Sequence, residues 1–178
     1  MHNQLYILTG APGTGKSTLL QHLRHRGYCG VDEPARKILA EQRRIEGNGI
    51  PQKDVRLFLD LMLSRSIHEY SLMESRSEPV FFDRGVPDIA GYASAFDLDY
   101  PQGLNAIREY RYNPTVFFTP AWEAIYTTDE ERTLSFEGTQ LFEKGIRRCY
   151  EEGGYTLLEV PMLSVEERAD FILSYIHQ

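Results

Sequence analysis

Cysteine is scarce in this chain. Cys29 and Cys149 are the only two among 178 residues, and neither sits in a metal-ligand pattern or a disulfide framework. A reducing, cytosolic setting follows as an expectation. Positive charge is also in deficit: 19 Lys and Arg face 26 Asp and Glu, for a net charge of −7. That balance speaks against a general nucleic-acid binder but leaves room for a local basic pocket. No apolar run approaches the length of a membrane span. The N-terminal apolar stretch is short and runs straight into glycines, so it does not read as a signal peptide. Repeats, low-complexity tracts and long linkers are missing. The five histidines share no spacing, and His22, His25 and His177 read as surface helix residues. The remaining composition, 42% apolar and 25% charged, is that of one globular domain over 1–178 with a sizeable core.

Against that plain background one stretch stands out. Gly10-Ala11-Pro12-Gly13-Thr14-Gly15-Lys16-Ser17 fits G-x-x-x-x-G-K-[ST], the Walker A loop. Leu5 to Leu8 ahead of it suits a buried strand, and Leu19, Leu20 and Leu23 behind it have helical spacing. Glycines at 10, 13 and 15 let the backbone approach a phosphate chain and aim N–H groups at it. The N-terminal end of the next helix adds its dipole at the same point. Thr14 and Thr18 belong to the same cradle. Lys16 is expected on the β- and γ-phosphates, and the Ser17 hydroxyl on Mg²⁺. A nucleoside triphosphate, ATP with Mg²⁺, is the expected ligand.

Runs with strand character recur at 5–9, 28–31, 80–82, 115–119 and 155–160. Helical patterns lie between them: one opening at 20–26, then 34–44, 54–73, 89–96, 104–110, 136–152 and 165–176. In the longest, Val55, Leu57, Phe58, Leu61, Met62, Ser66 and Ile67 form the expected apolar stripe. Ser164 and Glu167 read as a capping box for the last helix. Alternation of this kind implies an α/β fold with a parallel sheet covered on both faces. Ligands of such sheets bind beyond the carboxyl ends of the strands.

Each of the first four strands is followed by polar chemistry. Val80-Phe81-Phe82-Asp83 reads as Walker B, with Asp83 near Mg²⁺. Motor ATPases commonly place a glutamate next to orient water, and here that position is Arg84, which suits a phosphate or bound substrate. The weight moves from hydrolysis towards transfer. Glu33, after the second strand, has two readings: a base for the hydroxyl of an acceptor, or a cap for the helix opening at Pro34. Asp32 and Glu33 should point to opposite sides. Arg36 either binds an anionic substrate or pairs with Glu33 or Asp83. Arg132, in the polar stretch 127–135, fits a lid cation over the moving phosphoryl group or a solvated charge. Arg147 and Arg148 read mainly as solvated charges. Trp122 and Tyr126 either flank a base or pin the lid to the core. Asp88-Ile89-Ala90-Gly91 matches D-x-x-G of GTPases but falls in a helical pattern, and no N-K-x-D guanine signature occurs.

With these residues assembled, the chain resembles a family of small AAA-domain predicted ATPases among the P-loop NTPases, related to NadR-type nicotinamide riboside kinase domains. The matching pieces are Gly10 to Thr18, Glu33 to Arg36, Phe81 to Gly85 with Asp88, Phe117 to Trp122, Ile125 to Arg132, and Gly154-Tyr155. The resemblance implies a nucleotide-kinase-like three-layer α/β/α fold. It implies a five-stranded parallel sheet in the order 2-3-1-4-5 and a lid after the fourth strand, at about 120–135. Deoxynucleoside kinases have a similar Glu-Pro after the second strand, with the glutamate as base, and thymidylate kinases an Asp-Arg pair at the third. The helical lid domain and arginine-finger context of ring-forming AAA+ motors are missing. The leading expectation is a kinase moving the ATP γ-phosphoryl group to a nucleoside- or nucleotide-like small molecule. Lys16, Glu33, Arg84 and Arg132 are its candidate catalytic residues, Glu33, Arg36 and Arg84 its acceptor residues, and Ser17 and Asp83 its metal ligands. A nucleotide-dependent switch or a slow ATPase stands as the alternative.

Overall fold

The computed structural model describes residues 4–126 and 135–177. Its elements follow the chain as β1 (Leu5–Gly10), α1 (Lys16–His25), β2 (Cys29–Val31), α2 (Ala35–Arg44), α3 (Val55–Met73), β3 (Val80–Asp83) and α4 (Val86–Ala95). Then come α5 (Pro101–Glu109), β4 (Thr115–Thr119), a single 3-10 turn (Glu123–Ile125), α6 (Phe136–Glu152), β5 (Thr156–Glu159) and α7 (Val165–Ile176). All strand pairings are parallel, and the sheet order is β2-β3-β1-β4-β5. This is the order expected from the resemblance.

Side-chain alternation along each strand divides the core between the two faces of the sheet. Leu5 and Ile7 of β1, Phe82 of β3 and Phe118 of β4 pack on one face, against Val86 of α4, Ile107 of α5 and Ile146 of α6. Tyr6, Leu8, Phe81 and Phe117 pack on the other, against Leu19, Leu20 and Leu23 of α1 and Ala169 and Ile172 of α7. A third cluster joins α2, α3 and α4 through Ile38, Phe58, Leu59, Met62 and Ile89. Among the described residues no helix is long and apolar enough to cross a membrane.

Four expectations shift. Helix α1 opens at Lys16 rather than 20, and α5 at Pro101 rather than 104. The apolar stripe of α3 is rotated: Phe58, Leu59, Met62, Ser66 and Tyr70 are buried, while Leu57 is exposed. Contact on two sides causes this, because α3 packs both on α4 and α2 and, through Tyr70, on the main core. Helix α4 begins at Val86 rather than Ile89, because the Asp88 carboxylate accepts the Gly85 N–H at 2.9 Å and closes the first turn. Pro87 is tolerated there since its missing N–H is one that the first turn leaves unpaired anyway. The capping box on α7 forms as expected, from Ser164 and Glu167.

Register aligns the strand ends that build the site. Leu8 pairs with Asp83, and Gly10 with Thr119. Gly10 has φ +135, and a Cβ there would stand 2.0 Å from the Thr119 carbonyl oxygen. Both its conformation and its surroundings therefore require glycine.

Candidate active site

The loop from β1 to α1 alternates left-handed and ordinary residues: Gly13 has φ 78 and Gly15 φ 77. That alternation turns successive N–H groups towards one side and makes an anion-binding nest at the α1 N-terminus. Thr14 anchors it, with Oγ1 donating to the Ala11 carbonyl at 3.0 Å and lying 2.6 Å from Thr119 Oγ1. Lys16 is buried and curls back on the loop, Nζ donating to the Ala11 carbonyl at 2.6 Å. Burial, then the nearby Arg84 charge, pulls its pKa down to about 7. Ser17 Oγ donates to Asp83 Oδ2 at 2.7 Å. Asp83 Oδ1 is buried with no hydrogen-bond partner. Burial first and Glu33 second push the Asp83 carboxyl up, against the pull of Lys16. A hydroxyl beside an orphaned carboxylate oxygen fits a divalent cation whose other ligands come from phosphate and water.

Facing the loop lies a second constellation. Asp32 turns outward to Arg24 at 2.8 Å, while Glu33 turns into the site, so the two do part as expected. Glu33 makes no side-chain cap on α2, whose N-cap is Pro34. Instead its Oε1 accepts the Tyr92 hydroxyl at 2.8 Å and lies 3.0 Å from Arg84 Nε. The Arg84 contact is an ion pair at an angle that makes no hydrogen bond. Arg84 is buried, and at φ 68 its backbone occupies the left-handed region, a strained choice for a long side chain. The strain aims its guanidinium across the sheet: Nη1 donates to the Gly10 carbonyl at 3.1 Å and to Asp88 Oδ1 at 2.9 Å. The group also packs over the Tyr92 and Phe142 rings, 5.3 and 5.8 Å from their centroids. Burial alone would lower its pKa, but Tyr92, Glu33, Asp88 and Asp83 together raise it well above the ordinary value.

Asp88 ties the halves together, and its part was not read from the chain. Fully buried, it accepts from Thr9 Oγ1 at 2.6 Å, Arg84 Nη1, the Gly85 N–H and the Tyr150 hydroxyl. The available signal was an acid three residues into a helix after glycine, which marks a cap. Its D-x-x-G match was set aside correctly, since Gly91 lies inside α4. Arg168 was also missed. It is buried on α7 and donates to the Thr14 carbonyl at 3.0 Å.

One cavity of about 1320 Å³ takes in Gly13 to Thr18, Glu33, Arg36, Asp83, Arg84 and Tyr92. A pocket for one small ligand is roughly 300–1,000 Å³, so there is room for two. Lys16, Ser17, Thr18, Glu33, Arg36, Asp83 and Arg84 are brought together on this cavity, while Gly10 does not line it and touches the group only through its carbonyl, which accepts from Arg84. Arg147 does not line the cavity: it pairs with Glu143 and Glu159 and packs over the Phe118 ring. Arg148 lines the cavity rim yet pairs with Glu152 at 2.7 Å in solvent. Trp122 lines the cavity, and Tyr126 packs on Phe136 at the start of α6. Arg132 lies outside the described residues, as does half of the expected lid at 120–135, the stretch 127–134.

The family model for an AAA domain, AAA_28, matches residues 5–168. No curated protein matches the chain. Solved structures match along nearly its whole length. Deoxyadenosine kinase from M. mycoides with bound dATP has a TM-score of 0.71 at 15% identity, over 98% of this chain and 100% of that one. Thymidylate kinase from Ehrlichia chaffeensis has a TM-score of 0.67 at 12% identity, over 99% and 100%. The YorR protein from Bacillus subtilis, in complex with phosphorylated GDP, has a TM-score of 0.61 at 15% identity, over 97% and 95%. At these identities the likeness establishes a nucleotide-kinase-like P-loop fold.

Proposed function

This chain belongs to the AAA-domain family, and from that premise we propose that it is a kinase transferring the ATP γ-phosphoryl group to a nucleoside- or nucleotide-like acceptor. One observation carries the reading: Glu33 lines the same cavity as Lys16 and the phosphate loop, with both of its contacts on Oε1. Oε2, which has no partner among the described residues, is the oxygen that takes the proton of the acceptor hydroxyl. Such transfer needs little covalent chemistry from the protein; positioning and charge do the work. The loop N–H groups and Lys16 hold the phosphates of ATP. Ser17 and Asp83 would hold Mg²⁺, which supplies charge neutralisation at the phosphates when bound. Arg84, already charged and already aimed, stabilises negative charge developing on the transferred group. Arg132 joins it from the lid segment, and Arg36 assists at the acceptor. The neighbours' substrates are nucleosides and nucleotides by name, and the aromatic side chains Phe58, Tyr92 and Phe142 around the acceptor end suit a flat ring.

The test is a screen of nucleosides, nucleotides and nicotinamide riboside with ATP and Mg²⁺, repeated with Glu33→Gln. The expected result is a phosphorylated acceptor whose turnover falls about 10²–10⁴-fold in the variant, with ATP affinity nearly unchanged. ADP formed on water alone, indifferent to Glu33→Gln, would overturn the reading in favour of a slow ATPase or a switch.

A further inference from the structure

At its phosphate-loop end the cavity is also lined by a buried arginine of the last helix. Arg168 is the fourth residue of α7 and 5% exposed. Its Nη2 is spent on the Thr14 carbonyl, and its Nη1 lies 3.0 Å from where a Cβ on Gly15 would stand. Its Nε is buried with no hydrogen-bond partner, yet the side chain lines the cavity. Three circumstances set it apart from an ordinary structural arginine. No carboxylate pairs with it among the described residues, and burial alone accounts for its lowered pKa. The first turn of a helix disfavours a cation. A guanidinium has five N–H groups and accepts nothing: Nε is sealed inside the protein and Nη2 is spent, which leaves Nη1, with no hydrogen-bond partner among the described residues, to meet an acceptor in the cavity.

We propose that Arg168 is a specificity-determining contact to the base of the donor nucleotide, its Nη1 donating to an acceptor atom on the ring edge of a purine. The inference rests on the reading that the loop binds a nucleoside triphosphate. The surroundings choose the base over the phosphates. In a nest the N–H groups face the anion and the carbonyls face away, and Arg168 is anchored on a carbonyl of the loop. Its neighbours at this end of the cavity are apolar or aromatic: Trp122, Ile125, Leu163 and Val165. Ile125 Cδ1 approaches the same face of Gly15 as the guanidinium, 3.6 Å from the Cβ position. An apolar slot with one convergent polar group is the usual form of a ring-binding subsite. A donor-only side chain prefers a ring edge that presents an acceptor and rejects one that presents an amino group.

The experiment measures binding of ATP, GTP and inorganic tripolyphosphate by calorimetry to the wild type, Arg168→Lys and Arg168→Met, with thermal unfolding as a check. Lysine keeps the charge but lacks the planar fork that presents Nη1 while Nη2 holds the loop. Both variants should weaken the better-bound of ATP and GTP about ten- to hundredfold, the worth of one hydrogen bond to a charged group. The ATP-to-GTP ratio should change, and tripolyphosphate affinity should stay within about twofold, since the loop and Lys16 bind it unaided. An equal loss for all three ligands would make Arg168 a latch on the loop and overturn the assignment, as would no loss at all. Failure of both variants to fold would also overturn it, by making the residue structural. Wild type binding none of the three would overturn the nucleotide reading and this inference with it; binding tripolyphosphate alone would overturn only this one.

Discussion

The phosphate-loop side of the cavity and the side facing it, proposed above as the acceptor side, are built on opposite principles. The phosphate side is local. Nine consecutive residues, Gly10 to Thr18, supply backbone N–H groups, a lysine and a hydroxyl, and the left-handed glycines 13 and 15 shape them. The acceptor side is assembled from distant parts. Glu33 follows β2, Arg84 follows β3, Tyr92 lies on α4, and Asp88 gathers Thr9 of β1 and Tyr150 of α6. Backbone donors in a loop need only the right φ values. Side-chain groups drawn from five parts of the fold need a packed core to hold them, and that core includes a buried carboxylate. One side should therefore tolerate loss of tertiary packing better than the other.

The largest test of that contrast is Asp88→Ala. The substitution strands the Arg84 guanidinium and the Thr9 and Tyr150 hydroxyls in the interior. Breaking a buried ion pair in this way costs about 3–5 kcal/mol, to be read from chemical denaturation. Because Asp88 reaches both β1 and Arg84, the variant should lose acceptor turnover even where tripolyphosphate still binds. Retention of wild-type stability would mean that the two sides are not coupled through Asp88.

A smaller effect sharpens the contrast. Tyr92→Phe removes the hydroxyl that steadies Glu33 Oε1 while keeping the ring under Arg84. A hydrogen bond to a charged group is worth about 1.5–3 kcal/mol, so kcat/KM for the acceptor should fall roughly ten- to hundredfold. ATP affinity should not move. Steady-state kinetics with the acceptor varied at saturating ATP would show it, and a parallel fall in ATP binding would count against separate halves.

The smallest effect belongs to the phosphate side alone. Lys16 in the free protein has its pKa pulled down to about 7 by burial and by Arg84. Phosphates favour its charged form and raise that value. Between pH 7 and the raised value, binding takes up a fraction of a proton, and affinity falls as pH rises; below pH 7 the lysine is charged in both states and the dependence vanishes. Calorimetry of ATP binding in two buffers of different ionisation heat should find proton uptake at pH 8 and little at pH 6 from this group. The stability sign runs the other way. The unfolded chain holds the Lys16 proton up to its ordinary pKa, so the folding penalty of burying it is largest below pH 7 and eases above it.

Legibility followed the same division. The loop, Ser17 and Asp83 were found from spacing because their chemistry is confined to short windows with fixed geometry. Glu33 was found too, but with two readings open, since a carboxylate before Pro34 serves equally as a helix cap until something decides which way it turns. Tyr92 and Arg84 decide it, and they are 59 and 51 residues away (92 − 33 and 84 − 33). The α3 stripe was misread for a related reason: helical periodicity marks a single wet-to-dry boundary, and α3 has neighbours on two sides. Arg168 carried no motif at all. Its role depends on α7 lying beside the phosphate loop, which is a fact of sheet order.

By itself, then, the sequence determined the strand and helix alternation, the phosphate loop and the Ser17 and Asp83 proposed for Mg²⁺, because short-range φ preferences and side-chain periods are local quantities. Tertiary structure alone decided which carboxylate enters the cavity and what Asp88 holds together. It also decided why a buried arginine on the last helix is left with an unused N–H. Each of these is set by what a side chain meets across the sheet, and burial makes that meeting energetically decisive.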